Sequence, residues 1–297
     1  MTLQTWLQKT APRMISAAGG RDQAWMEAEM LLAHVLKKDR AWIVAHAERA
    51  LTALQEKKLN SLVTRRRNHE PMAYLLGEVT FFGRSFHVRR GVLIPRPETE
   101  ELVARGLQKI ASTKPSTLVW DVGVGSGAIA VTISLEAPTT RVIASDTNRA
   151  ALVLARQNAS PAKSISFTRA NLLSPRLAAF LRKRREPHLL VLANLPYLPT
   201  RERRTMQPDV VRYEPSSALF AKEEGMFLIK KLLHQLAIFQ KKDPRTLTIL
   251  AEFHPPQASH LLREAKRLFP QATVRVHEDL CGRKRILEIQ CSNPANV

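Results

Sequence analysis

A chain of 297 residues with 44% hydrophobic content has ample material for a packed core and is long for one domain, so two domains are expected. Lysine and arginine number 46 against 26 aspartate and glutamate, a formal net charge of +20 that is spread along the chain rather than confined to a tail. The two cysteines, Cys281 and Cys291, show neither a disulfide framework nor metal-type spacing, and no apolar run reaches the roughly 18 residues of a membrane span. These features point to a metal-free protein of a reducing compartment, the cytoplasm, with no membrane contact, and a monomer is the expectation. The first residues, acid-free up to Asp22 in the manner of a transit peptide, lack a secretory pattern and read as the start of a helix. So basic a surface favours anionic partners, the ribosome and RNA first, although a generally basic soluble surface would look the same.

Residues 1 to about 70 read as helices. In "QAWMEAEMLLAHVLKK" the apolar positions Trp25, Ala28, Leu32 and Val35 recur at helical spacing. The pattern continues through "WIVAHAERALTALQEKKLNSLVTRRRNHEP" until Asn68 and Pro71 break it. No glycine-rich loop or nucleophile setting occurs here, which suits recognition of a partner. From Tyr74 to Ile94, aromatic and β-branched residues around Gly83 and Gly91 predict a hairpin. Thereafter strand and helix alternate. Strands are expected at 117–122, 141–146, 165–169, 189–194, 246–253, 272–278 and 285–290, with helical patterns after three of them. Seven strands in this rhythm imply an α/β fold with a mostly parallel, doubly wound sheet. Only "DLCGRK" joins the last two, too short for a parallel crossover, so that pair is expected to be antiparallel.

Gly123, Gly125 and Gly127 of "DVGVGSGAIA" stand between the first of these strands and a helix, where glycine lets the chain turn tightly and a ligand approach the backbone. Gly123, Gly125 and Ala128 also satisfy the dinucleotide pattern G-x-G-x-x-G/A. Two features favour S-adenosylmethionine over a pyrophosphate. Asp121, just before the glycines, would repel phosphates and tolerate an ammonium. Asp146, at the end of the next strand, can accept from both ribose hydroxyls, although it could also cap the helix that begins near Asn148. Later, Asn194-Leu195-Pro196-Tyr197 interrupts an apolar strand; Pro196 ends pairing and Asn194 tolerates turn geometry, so a plain loop is the simplest reading of this stretch alone.

Taken in order, "AYLLGE…FFG", "GVLIPRPETEELV", "DVGVGSGAIA", "NLPY" and "YEPSSAL" closely resemble the N5-glutamine methyltransferases that modify peptide-chain release factors, and "EAEMLLAHVL" extends the resemblance over nearly the whole chain. The resemblance implies a Rossmann-like class I methyltransferase with a seven-stranded sheet. It divides the chain into a helical substrate-recognition domain (1–72), a hairpin connector (73–95) and a catalytic domain (96–297). S-adenosylmethionine is the implied donor, and the glutamine of a Gly-Gly-Gln loop the implied acceptor. The cofactor loop would run from Gly123 through Val124, Gly125 and Ser126 to Gly127. Asp146 would take the ribose, while Asn171 and Leu172 fall where the family usually has an aspartate beside the adenine. Asn194 to Tyr197 match the family's N-P-P-Y acceptor loop, with Leu195 for its first proline, and Val124 stands where threonine is common.

An amide nitrogen is a poor nucleophile because its lone pair is delocalised into the carbonyl. Two acceptors aimed at its N–H bonds, the Asn194 side-chain oxygen and the Leu195 backbone carbonyl, would hold it facing the methyl sulfonium. Pro196 biases Leu195 toward extended geometry, and Tyr197 supplies a flat wall. Asn194 would therefore touch both cofactor and acceptor. Rival readings are a methyltransferase for a ribosomal-protein glutamine, one for the exocyclic amine of a flipped nucleic-acid base stacked on Tyr197, and a decayed, non-catalytic RNA- or ribosome-binding relative.

Overall fold

A computed structural model describes residues 1–113, 116–162, 164–279 and 281–292. In chain order the first elements are α1 (Leu3–Ala18), α2 (Arg21–Leu36), α3 (Arg40–Ala45), α4 (Ala53–Arg67), α5 (Met72–Leu76), β1 (Glu78–Phe81), β2 (Arg84–His87) and α6 (Thr99–Ser112). Then come β3 (Thr117–Val122), α7 (Ala128–Glu136), β4 (Arg141–Asp146), α8 (Arg149–Asn158), β5 (Ile165–Arg169), α9 (Pro175–Arg182) and β6 (His188–Ala193). The chain finishes with β7 (Leu198–Pro199), α10 (Pro208–Tyr213), α11 (Ser216–Leu219), β8 (Phe220–Ala221), α12 (Phe227–Gln240), β9 (Thr246–Glu252), α13 (Ala258–Leu268), β10 (Thr273–Glu278) and β11 (Lys284–Cys291).

Two compact units form: Met1–Glu78 with Met206–Tyr213, and Val79–Thr205 with Glu214 onward. The first is helical. Its core of Leu3, Trp6, Met14, Ala28, Leu31, Leu32, Leu59 and Val63 is drawn from α1, α2 and α4. On α2 the buried stripe is Ala24, Ala28, Leu31 and Leu32, not one led by Trp25, which is 39% exposed and donates its Nε1–H to Glu29. The helical pattern expected to run on to Asn68 is interrupted between α3 and α4. There Thr52 accepts from the Gln55 N–H while Gln55 reaches back to the Thr52 N–H, a reciprocal cap that starts α4 afresh. Inside the unit, Arg66 forms a buried ion pair with Glu27 at 2.7 Å and ties α4 to α2.

In the second unit the expected hairpin forms from β1 and β2, turning at Phe82 and Gly83, both with positive φ. Seven strands make one sheet in the order β10-β11-β9-β6-β3-β4-β5. Neighbours among β9, β6, β3, β4 and β5 pair in parallel, whereas β11 pairs antiparallel with both β9 and β10, as the short "DLCGRK" turn requires; Leu280 of that turn lies outside the described residues. Every residue of β3 and β6 is buried, so their runs are continuously apolar rather than alternating. Successive side chains still point to opposite faces. Leu118, Trp120 and Val122 pack with Leu232, Leu233 and Leu236 of α12 and Leu261 of α13. Val119 packs on the other face with Leu102 and Val103 of α6, Ile129 of α7 and Leu152 of α8. Each such side chain contributes about 1.5–3 kcal/mol by leaving water, and together they hold the strand ends that carry the site.

Candidate active site

After building β3, β4 and β5 outward, the chain returns to lay β6 on the other side of β3. At such a reversal the connections part in opposite directions and open a crevice beyond the carboxyl ends of the strands. A cavity of about 310 Å³ opens among the segments that leave β3, β4, β5 and β6, with Val92 and Pro215 among its other wall residues.

The glycine segment folds back over β4 because the N–H groups of Gly123 and Val124 both donate to the Ser145 carbonyl, at 2.8 and 2.9 Å. Its φ values of +81° at Gly123, +53° at Gly125 and +91° at Gly127 are ones that residues with a Cβ rarely adopt. The three glycines do different work. A Cβ on Gly125 would meet nothing nearer than 4.0 Å, so its backbone is open to a ligand. One on Gly123 would press the Leu195 side chain at 3.2 Å, and one on Gly127 would strike Ala155 of α8 at the same distance. Gly127 therefore serves helix packing and does not line the cavity, contrary to expectation; nor do Val124 and Ser126, which are buried.

Asp146 is at the wall. Its Oδ2 accepts from the Gly125 N–H at 3.0 Å and its Oδ1 from the Asn148 N–H at 2.8 Å. The N-cap of α8 is Asn148 itself, which accepts from Ala150. A carboxylate has about four acceptor positions, so Asp146 retains capacity for a ligand diol. Asn171 and Leu172 also line the cavity, Leu172 with a φ of +48°. The expectation that Asp121 faces the cofactor's ammonium is not met. Asp121 is 0% exposed and absent from the wall, with Oδ2 accepting from the Ala130 N–H and Oδ1 unpartnered. Burial pushes its carboxyl up to about 7, an effect the Ala130 N–H opposes and the Asp146 charge reinforces.

Asn194, Leu195 and Pro196 line the same cavity. Asn194 Nδ2 donates to Thr99 Oγ1 at 2.8 Å, and Oδ1 takes no partner from the described residues. The Leu195 side chain is 8% exposed and packs over Gly123. Tyr197 stands behind the wall. Its hydroxyl donates to Glu252 Oε1 at 2.8 Å, and burial followed by the neighbouring carboxylate raises its pKa. The Tyr197 carbonyl accepts from Gln257 Nε2 at 2.7 Å, and Gly225 lies against it so tightly that a Cβ there would sit 1.9 Å from that oxygen. Sequence reasoning missed Thr99, Glu252, Gln257 and Gly225. Only Thr99 carried a signal, as the threonine of "LIPRPETE". The rest of that motif is tied to "YEPSSAL": the Ile94 N–H and Arg96 both donate to Glu214, while Pro215 and Ser217 reach the cavity.

The residues present fit S-adenosylmethionine. An open glycine backbone, a carboxylate with spare acceptors and apolar walls at Val92, Ala170 and Leu172 suit a nucleoside, and among the described residues no arginine or lysine lines the cavity.

Residues 6–77 match the family model of the PrmC N-terminal domain, and residues 99–192 match that of a precorrin methyltransferase domain. A release factor glutamine methyltransferase of Enterococcus faecalis is 36% identical over 249 residues, spanning 84% of this chain and 86% of its own. One from Bacillus cereus is 32% identical over 272 residues, spanning 90% and 92%. Among solved structures, the hMettl16 catalytic domain in complex with MAT2A 3'UTR hairpin 6 superposes with a TM-score of 0.53 at 14% identity, covering 81% of this chain and 82% of that one, a likeness of fold alone. With relatives this similar over most of its length, the chain belongs to the release factor glutamine methyltransferase family.

Proposed function

We propose that the chain methylates the side-chain nitrogen of a protein glutamine, the one in the Gly-Gly-Gln loop of peptide-chain release factors, with S-adenosylmethionine as donor. The observation that carries this reading is that Asn194 and Leu195 line the same cavity as Gly125 and Asp146, so an acceptor held by the first pair meets a cofactor held by the second. S-adenosylmethionine supplies the methyl group on a sulfonium, whose sulfur keeps the bonding electron pair as the group leaves. Gly125 admits the cofactor to the backbone, and Asp146 accepts from its ribose. Asn194 Oδ1 and the Leu195 carbonyl each accept from one N–H of the glutamine, holding its nitrogen toward the methyl and favouring loss of planarity. The departing proton needs no strong base, because the nitrogen becomes acidic once alkylated. Leu195 stands for the family's proline, and this chemistry asks only for its carbonyl.

Residues 1–72 recognise the protein partner in this reading, since they hold a core of their own and no plausible catalytic group. The basic surface adds contact with an anionic partner, ribosome or RNA. In this reading the chain acts as a monomer. It works in the cytoplasm beside its substrate, in keeping with two unpaired cysteines and, among the described residues, no helix long and apolar enough to cross a membrane. The test is incubation with labelled S-adenosylmethionine and, separately, a release factor, ribosomal proteins and RNA. Label on the Gly-Gly-Gln glutamine is expected. Label on a nucleobase, or on no acceptor, overturns the proposal.

A further inference from the structure

Glu252 ends β9 at 2% exposure, and its carboxylate bonds both Tyr197 of the acceptor loop and Thr99, the partner of Asn194. Thr99 Oγ1, at the first residue of α6, donates to Oε2 at 2.8 Å; the Tyr197 hydroxyl donates to Oε1 at 2.8 Å. Burial raises the carboxyl's pKa, while the two hydroxyls and Arg285 favour its charged form.

The consequence is directional. The carboxylate accepts one hydroxyl on each of its oxygens, and a threonine hydroxyl has one hydrogen to give. With that hydrogen committed to Glu252, Thr99 Oγ1 can only accept from Asn194. The Asn194 amide must then turn Nδ2 toward Thr99, as observed at 2.8 Å, and keeps Oδ1 for the cavity it lines. If the carboxylate were absent, Thr99 could donate to Asn194 Oδ1 instead. The amide would rotate by half a turn and present N–H groups to an incoming amide that itself needs acceptors.

We infer that Glu252 is a positioning residue for the methyl acceptor: acting through Thr99 it sets which end of the Asn194 amide faces the cavity, and through Tyr197 it anchors the far side of the same loop. The inference rests on the reading of Asn194 as the acceptor's partner. It accounts for the threonine of "LIPRPETE", which that reading left without a role.

The experiment measures kcat, KM for a release factor, S-adenosylmethionine affinity and Tm for Asn194→Ala, Thr99→Val, Thr99→Ser and Glu252→Gln. Thr99→Val keeps the shape and removes the hydroxyl, so kcat is expected to fall by up to roughly 100-fold, the lower end of the range for direct loss of one preorganised polar contact, with cofactor affinity unchanged. Thr99→Ser restores the hydroxyl and most of kcat. Glu252→Gln offers a single oxygen to two donors and is expected to lose kcat to a similar degree. Combined with Thr99→Val, the loss should be smaller than the product of the two single losses, because Glu252 acts in part through Thr99. If Asn194→Ala is inactive while Thr99→Val and Glu252→Gln keep wild-type kcat, the role of Glu252 is overturned and that of Asn194 stands. An active Asn194→Ala overturns both. Should Glu252→Gln fail to fold, the Thr99 pair decides: loss in the valine variant without recovery in the serine variant refutes the hydroxyl relay.

Discussion

Asp146 holds Gly125 and Asn148 in place with one hydrogen bond to each carboxylate oxygen, and in the proposed complex it also holds the ribose. Asp146→Ala is therefore expected to weaken S-adenosylmethionine binding by about 1.5–3 kcal/mol, the range for hydrogen bonds to a charged group. Titration calorimetry on the folded variant checks this, and unchanged affinity would remove Asp146 from the cofactor site. Leu195 separates two requirements in one residue. In the proposed complex its carbonyl serves the acceptor, whereas its side chain packs against Gly123 within the core on one face of the sheet. Leu195→Pro keeps the oxygen and trims the packing, so kcat should hold while Tm drops by a few degrees. A large loss of kcat at unchanged Tm would show that more than the carbonyl is used. These residues were legible because each sits in a contiguous stretch whose local geometry demands it. Glu252 was not. It meets Thr99 across 153 positions of sequence, and a lone acid at the end of an apolar strand carries no pattern of its own.

Strands were easier to read than helices. The seven sheet strands show as short apolar runs, and the brevity of the last turn decided its direction. α9 escaped notice because its eight residues are too few to display a helical period, and α13 because its apolar positions are interleaved with arginine, lysine and glutamate. The element with a distinctive pH response is β6. His188 at its start is 3% exposed, with Nδ1 at 3.2 Å from Thr117 of β3 and Nε2 at 2.9 Å from Thr248 of β9. Burial, then the charge of Lys109, lowers its pKa from 6.5 to about 4. The unfolded chain thus takes up a proton as pH falls through 6.5, whereas the folded chain resists until about 4. Stability from this group is complete above pH 6.5 and is lost across that window. In His188→Gln, an uncharged polar replacement, the decline of Tm between these limits should be shallower than in the wild type. An identical decline would assign acid sensitivity to other groups.

At the scale of the whole molecule, the helical unit has its own core, and a linear reading has no means of showing that Met206–Tyr213 clusters with it. Its buried Glu27–Arg66 pair gives a test. Glu27→Ala leaves a buried guanidinium without its carboxylate and is expected to cost about 3–5 kcal/mol of stability in this unit, while cofactor affinity in the other unit is retained. Calorimetric unfolding with and without S-adenosylmethionine separates the two effects.

The net charge of +20 poses the last question of scale, because arginines that bracket the acceptor loop in sequence are separated by the fold. Arg182 to Arg185 precede β6, and at about 3.3 Å per residue the strand carries Asn194 some 20 Å away from them. Arg182 and Arg184 there lie over Phe239 and Phe180. Arg201, Arg203 and Arg204 follow the loop instead and are exposed; Arg201 pairs with Glu224 at 2.7 Å. Arg203 and Arg204 have no partner among the described residues and follow Arg201 within three positions of sequence. If they attract an acidic surface of the acceptor, reversing both charges should raise KM for the protein acceptor roughly two- to thirtyfold, given about 0.2–1 kcal/mol for each exposed pair. Cofactor affinity should not move. Added salt should raise the wild-type KM toward that of Arg203→Glu/Arg204→Glu, because exposed charges are screened beyond about 10 Å at 0.1 M. Equal KM for the two proteins at low salt would assign the attraction to another part of the basic surface.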